Sequence, residues 1–564
     1  MNSTVEGRRM AMAKRHPAWI ETTLDAYFDL AVRDFADAPL VLTDTETLTY
    51  SDVARQSRDI TLGLIALGLQ PGERVGVVMA NYPVTVPLLF AIWRAGAVAV
   101  PMNTLYRPEE LEYAIQEADC SLLVIMEWFG SRRYVADLDA RAPGWRQGPS
   151  ATFPTLRRVV TYDDTQPQAF LDALTTAPDS GNAPRVIAGP LDAAVVMFTS
   201  GSTGFPKGVV QTHDNLLRAA YAGAYHQAFE EGRRAVFSLP LYHGFGLVVG
   251  LLSGLIVGGS IVPLLRFEPE RILLAIERHR ATFLMGVPTM TIALMEQSKK
   301  GSYDLSSLAA IHSAAAPTPA WVWREIQQAF GCEEVFTSYG QTETTATIVC
   351  TQPGDPIETV ASTQGCIVQA GVAGIPEQGG LIAEFKTIDP ETGEDLPWGA
   401  SGELCTRGPM NSKGYFRRPE ETQKIMLPGG WLRTGDLGQF EPDGNLLLTG
   451  RSKELYKSRG ELVSPKELEQ ILTLHPAVAQ AFFIGMPDDR WGECGSVWVV
   501  PSDGHAIEAD AVIAYLAERV AGYKLPRDVW FIEDHELPKT GTGKVQKIVL
   551  KQMAERLLAG KPQA

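Results

Sequence analysis

The segment Glu73 to Pro101, ERVGVVMANYPVTVPLLFAIWRAGAVAVP, narrows the fold more than any other part of the chain. An apolar run, a helix-length amphipathic stretch and a second apolar run follow one another, which is the pattern of a strand-helix-strand unit with parallel strands. Short apolar runs recur at 121–125, 193–199, 235–239, 282–287, 308–312 and 334–338, alternating with helical patterns such as PERILLAIERHRA and PAWVWREIQQAF. Chains patterned in this way form parallel sheets covered by helices on both faces, and their ligands gather beyond the C-terminal ends of the strands. The predicted class is therefore α/β, with doubly wound sheets in a large N-terminal domain.

At 564 residues the chain is too long for one simple core. Around residues 385–450 the texture changes to hairpins, one of them turning at Asp443-Gly444, and predicts a small β-rich subdomain. Beyond Arg451 a compact α+β unit is expected. Ser464-Pro465-Lys466-Glu467 reads as a capping box opening a helix, the strands AQAFFIGM, GSVWVV and VWFIED follow, and a last helix starts at about Lys544. The expected organisation is an N-terminal domain over 1–450, a hinge at 451–454 and a mobile C-terminal lid over 455–564. Runs rich in Pro, Gly, Ser and Asp between 142 and 190 read as surface loops.

Charge and cysteine usage exclude several classes. A formal charge of −16 disfavours a nucleic-acid surface. The six cysteines show neither C-x-x-C pairs nor metal-ligand spacing, which fits a reduced, cytoplasmic protein. Arg8, Arg9, Lys14 and Arg15 are not followed by an apolar core of a signal peptide. Gly246 to Leu265 is uncharged over 20 residues, yet Gly258-Gly259 divides it, so a buried helix, turn and strand are expected in place of a membrane span.

The stretch VMFTSGSTGFPKGVV, residues 196–210, breaks from an apolar strand into hydroxyls, glycines and one lysine. Such a loop lets backbone N–H groups approach an anion while hydroxyls and an ammonium add donors. It is not the G-x-x-x-x-G-K-[ST] phosphate loop, since Lys207 stands between Pro206 and Gly208. Gly541-Thr-Gly-Lys544 fails the same test, with Pro538 at the first glycine position and Val545 at the hydroxyl position.

Six motifs occur in order: FTSGSTGFPKG (198–208), PLYHGFG (240–246), SYGQTE (338–343), WLRTGDLG (431–438), GRSKELYKSRGELVSPKELE (450–469) and LPKTGTGKVQK (537–547). Together they resemble the adenylate-forming superfamily, in its acyl-CoA synthetase branch, over roughly residues 25–555. The resemblance implies activation of a carboxylate by ATP to an acyl-adenylate and pyrophosphate, followed by acyl transfer to coenzyme A, with Mg²⁺ as the metal.

It also implies roles for individual residues. Thr199, Ser200, Gly201, Ser202, Thr203, Gly204 and Lys207 would wrap the β- and γ-phosphates, and Glu343 would ligate Mg²⁺. Ala315, Tyr339, Gly340, Gln341 and Thr342 would contact the nucleotide, Asp436 its ribose hydroxyls, and Arg451 the nucleotide from the lid side. Lys544 would bridge the attacking carboxylate and the α-phosphate, Lys453 would be the hinge, and Ser458, Arg459, Gly460 and Glu461 would line the pantetheine path. His243, Phe245, Val248, Ser313, Ala314 and Gly340 are the expected acyl-pocket residues, His243 also gating access.

Four positions depart from the commonest pattern. Ser202 stands for Thr, Glu454 for Asp and Lys547 for Arg, each keeping its chemistry, while Ala314 replaces a Gly and reshapes the pocket wall. No carboxylate near PLYH could hold a substrate ammonium, so an uncharged apolar acid, fatty or ring-bearing, is expected. Transfer to a carrier protein and a non-catalytic acyl-binding role are the alternatives; a homodimer stays open. Lys544, Glu343 and Asp436, which a non-catalytic homologue would be expected to lose, are all present.

Overall fold

The computed structural model describes residues 4–175, 188–199, 206–314, 318, 320–458, 461–488, 492–502, 504–540 and 543–559. Contacts divide the chain into two compact units, residues 1–384 with 406–432, and residues 385–405 with 433–564. The second is larger than the segment 455–564 because hairpin strands upstream of Arg451 pack with the C-terminal residues.

Two large sheets, each parallel except at one edge, and a small antiparallel sheet of Ser338–Gln341, Ala346–Cys350 and Cys366–Ile367 build the first unit. One runs in the order Arg158–Tyr162, Cys120–Met126, Arg74–Val78, Val98–Pro101, Ala193–Thr199, Lys207–Thr212. All of its pairings are parallel except the last. Cys120–Met126 is buried at every position, as a strand covered on both faces must be. The strand-helix-strand reading of 73–101 is realised by Arg74–Val78, the helix Thr85–Arg94 and Val98–Pro101.

The other sheet has seven strands, ordered Glu334–Phe336, Ala310–Ser313, Phe283–Gly286, Arg234–Phe237, Ser260–Pro263, Pro39–Leu42, Thr47–Thr49. Helices Pro269–His279 and Ala320–Phe330 bury Ile272, Leu273, Ile276, Trp323 and Ile326 in one apolar cluster with Leu284 and Ile311 of that sheet. Each such side chain contributes about 2 kcal/mol of transfer free energy.

Residues 142–190 depart from the loop reading. Arg158–Tyr162 adds an edge strand beside Cys120–Met126, and the helix Pro167–Thr175 buries Phe170 and Leu174. An edge strand needs only one apolar face, so its polar residues hid it among turn-like neighbours. The uncharged segment after Gly244 forms a π-helix at Phe245–Leu252, an α-turn at Ser253–Ile256 and the strand Ser260–Pro263. Among the described residues no helix is long and apolar enough to cross a membrane.

Trp431–Phe440, in the second unit from Arg433 onward, pairs antiparallel with Leu446–Arg451 across the turn at Asp443-Gly444. Further on, Glu461–Val463, Tyr456–Ser458, Gly492–Pro501 and Val478–Asp488 form a sheet, with Asp528–Phe531 parallel to Gly492–Pro501. Leu468, Leu472, Val512 and Leu516 of two helices pack with Phe483, Val497 and Val499 of the sheet.

Two local expectations are corrected here. Pro465 does open the helix Pro465–Leu472, but Ser464 makes no side-chain cap. Its hydroxyl donates to Thr449 O at 2.7 Å, and Glu467 is held by Lys524 at 2.6 Å, so both capping partners are drawn into tertiary contacts. The last helix is Lys547–Ala559, which leaves Lys544 in the preceding loop. There Thr540 N donates to Lys544 O at 2.7 Å, and Gly543 takes a φ of 78° that favours glycine.

Candidate active site

The strand Ala193–Thr199 turns back as Lys207–Thr212, so the hydroxyl-rich loop joins two antiparallel strands, with Thr199 opposite Lys207. A P-loop instead feeds a helix; here no helix N-terminus follows Lys207 directly. Ser200, Gly201, Ser202, Thr203 and Gly204 lie outside the described residues. Lys207 is ion-paired with Glu421 and stands 5.2 Å from the ring centroid of Tyr415. The Tyr415 hydroxyl donates to Glu343 Oε1 at 2.8 Å. Tyr415 reaches that place because its segment straps the strand: Lys413 N donates to Val210 O, Val210 N to Gly414 O and Phe416 N to Gly208 O at 3.0, 2.9 and 2.7 Å. Neither Tyr415 nor Glu421 was singled out from sequence.

Glu343 sits in a single 3₁₀ turn, Thr342–Thr344, followed by left-handed backbone at Thr345 and Ala346 with φ of 51° and 76°. Such strain persists only where surrounding structure holds it. Here Thr345 Oγ1 donates to Met410 O at 2.8 Å, Ser412 N donates to Glu343 O at 2.8 Å, and Gln211 Nε2 donates to Thr342 O at 2.9 Å. A side chain on Gly340 would lie 1.6 Å from Ala346 O, so the turn needs glycine there. Tyr339 is buried beside it, and Gln341 N donates to Thr344 Oγ1 at 3.1 Å. Ala315 lies outside the described residues.

The expected acyl residues all belong to this unit. His243 is exposed, and its Nδ1 accepts from Phe245 N at 3.2 Å at the start of the π-helix. Val248 is buried in that helix; π-turns often mark functional sites. Ser313 and Ala314 are buried, Ser313 Oγ meeting Thr291 Oγ1 at 3.1 Å. The ring of Phe245 packs edge-on, 5.0 Å away, on the buried imidazole of His312. His312 was missed because nothing in HSAAAP distinguishes a buried imidazole from an exposed one.

The second unit gathers its own cluster. Asp436 and Arg451 face each other across the hairpin ladder, Arg451 Nε lying 2.9 Å from Asp436 Oδ1. Lys547 Nζ lies 2.6 Å from Glu454 and 2.8 Å from Glu469, whose Oε1 also accepts from Phe483 N at 2.7 Å. Burial opposes the charge on Lys547, but Glu469 and Glu454 outweigh it and raise its pKa. Glu454 and Lys547, two of the positions singled out from sequence, are thus ion-pair partners.

Lys544 and Lys466 complete this group of four cations around Asp436, Glu454 and Glu469. Lys544 is exposed, yet protein crowds round it. That crowding, then the like charge of Arg451, lowers its pKa to about 8, while Asp436 and Glu454 pull upward and Lys547 pushes down. Water at the ammonium screens part of this depression. An excess of cation over carboxylate suits a bound anion. Lys453 lies in the turn Ser452–Glu454. Ser458 is buried and pairs in register with exposed Glu461; Arg459 and Gly460 fall outside the described residues.

The AMP-binding enzyme family profile matches residues 28–416, and the AMP-binding enzyme C-terminal domain profile matches 467–544. The chain belongs to the AMP-binding enzyme family. Among its relatives in the acyl-CoA synthetase branch, the acyl-CoA ligase SID4 of Ajellomyces capsulatus is 33% identical, the alignment covering 96% of this chain and 93% of the relative. The feruloyl-CoA synthase of an Amycolatopsis species is 33% identical over 89% of this chain and 92% of its own. The crystal structure of ATP-bound MatB from Rhodopseudomonas palustris superposes with a TM-score of 0.80 at 28% identity, covering 94% of this chain and 99% of that one. As a member of this branch the chain is an AMP-forming acid–thiol ligase, which forms an acyl-adenylate and transfers the acyl group to coenzyme A.

Proposed function

We propose that this ligase activates an uncharged, apolar carboxylic acid, fatty or ring-bearing, and passes it to coenzyme A with release of AMP and pyrophosphate. The reading is supported by the charge cluster in which Arg451 pairs with Asp436 and both lie near enough to Lys544 to shift its pKa. The apolar acid is supported by the uncharged π-helix Phe245–Leu252 and by relatives named for feruloyl and medium-chain acyl groups.

In the first half-reaction a carboxylate oxygen attacks the α-phosphorus of ATP and the bond to the β-phosphate oxygen breaks. Lys544 offsets charge on both reacting groups, and Lys207 leaves Glu421 to hold the departing pyrophosphate. Glu343 fits a magnesium ion: a carboxylate is a hard donor, and Mg²⁺ on a nucleotide commonly needs only one or two protein carboxylates. Bound there, Mg²⁺ would neutralise phosphate charge. Tyr415 orients that carboxylate. In the second half-reaction the coenzyme A thiolate attacks the acyl carbon and AMP leaves. Rotation about Lys453 withdraws Lys544 and presents Ser458 to Glu461 along the pantetheine path.

The test is coenzyme A-dependent AMP release across short, medium and long fatty acids, benzoate-like and cinnamate-like acids, malonate and amino acids. Turnover confined to apolar acids and dependent on coenzyme A is the expected result. Turnover of malonate or amino acids alone contradicts the apolar pocket, and pyrophosphate release without thioester contradicts the acceptor.

A further inference from the structure

His312 is fully buried in the strand Ala310–Ser313. Its Nε2 lies 2.9 Å from Ser338 Oγ, but its Nδ1 has no hydrogen-bond partner among the described residues. The rings of Phe245, Phe283 and Phe336 surround the imidazole at centroid distances of 5.0, 6.2 and 6.2 Å. A buried polar atom left unpaired is destabilising, and a leucine or phenylalanine at this place would avoid that cost.

One neighbour connects His312 to the acyl site: Phe245, only half-buried, covers the imidazole edge-on. Burial, and then the like charge of His226, hold the imidazole neutral with a pKa near 3. It therefore exerts no pull on the reacting carboxylate and offers one neutral hydrogen bond. If Nε2–H donates to Ser338, Nδ1 accepts; if the Ser338 hydroxyl donates, Nδ1–H donates. A hydroxyl group answers either tautomer, because it both donates and accepts.

We infer that His312 is a specificity-determining residue whose Nδ1 hydrogen-bonds a hydroxyl at the distal end of an otherwise apolar acid, reached when the Phe245 ring turns aside. The inference rests on the ligase reading above and names its substrate class: hydroxylated apolar acids, phenolic or aliphatic. A pocket built to pair a hydroxyl discriminates strongly against the analogue without it, because the protein's polar atom is then left bare.

The experiment compares kcat/KM for AMP release in the full chain with two matched pairs: cinnamate against its para-hydroxy derivative, and a medium-chain fatty acid against its ω-hydroxy derivative. At least one hydroxy acid is expected to exceed its parent about tenfold or more. His312→Leu brings that ratio close to one, while His312→Gln keeps part of it. A purely structural histidine would lower both rates together and leave the ratio alone. Ser338→Ala, which removes the hydroxyl fixing the tautomer, lowers the ratio without carving a large cavity. Strong turnover with equal rates in both pairs, or a ratio that survives His312→Leu, overturns this inference alone. Absence of AMP release with every acid overturns the ligase reading and this inference with it.

Discussion

Lys544 shows how a single side chain carries two demands at once. In the proposed reaction its ammonium must be charged to meet the phosphate, yet crowding and Arg451 bring its pKa down to about 8. In the free enzyme the proton is therefore lost as pH rises through about 8, and kcat/KM for acid-dependent ATP–pyrophosphate exchange falls above that point. Bound phosphate favours the charged form, so the falling limb of kcat lies at higher pH. Lys544→Arg removes the limb, since guanidinium stays protonated throughout. Lys544→Ala is expected to cost exchange about 10²–10⁴-fold while leaving thioester formation from supplied acyl-adenylate within a few-fold. Equal loss in both half-reactions would contradict the proposed role.

At the scale of elements, the strap that runs along Lys207–Thr212 does more than cover a strand edge. It brings Glu421 to Lys207 and Tyr415 to Glu343. Lys207 cannot serve a phosphate while it serves Glu421, so the ion pair competes with ATP. A partly buried pair of this kind is worth about 1 kcal/mol, and Glu421→Gln should lower KM for ATP about fivefold with kcat little changed. An unchanged or raised KM would show that Glu421 does not hold Lys207 away from the nucleotide.

For the molecule as a whole, three of the four buried histidines of the first unit tie it most strongly to pH. Burial lowers His213 and His226 to about 4 and His312 to about 3, against 6.5 for the free side chain. Below pH 6.5 the unfolded chain takes up protons that the folded chain refuses, so stability falls with pH until the folded values are reached near 4. Each histidine contributes about 1.4 kcal/mol per pH unit in that window, or about 4 kcal/mol per unit for the three. Unfolding at pH 5.5 should take up about three protons on their account, and about one fewer in His312→Leu. Denaturant stability that stays level between pH 6.5 and 5 would contradict three neutral buried imidazoles.

Much of this protein is written locally. Continuous apolar runs name the buried strands, because burial on both faces leaves no room for polar residues. Gly340 and the glycines of the hairpin turns announce close approach or left-handed backbone, and the order of the motifs carries the family. Local signals failed where a partner lies far along the chain. The strand Arg158–Tyr162 was hidden by the polar face an edge strand can keep, and Ser464 looked like a cap until Thr449 O claimed its hydroxyl. Tyr415 meets Glu343 across 72 residues of sequence, and Glu421 and His312 declare nothing of their partners in their own neighbourhoods. The sequence by itself determined the fold class, the family and the chemistry of the motifs, since these rest on residue type and short spacing. Only the tertiary structure decided which carboxylate holds which lysine and which buried nitrogen goes unpaired, since hydrogen bonds and ion pairs are set by distances that the packed sheets, not the neighbouring residues, impose.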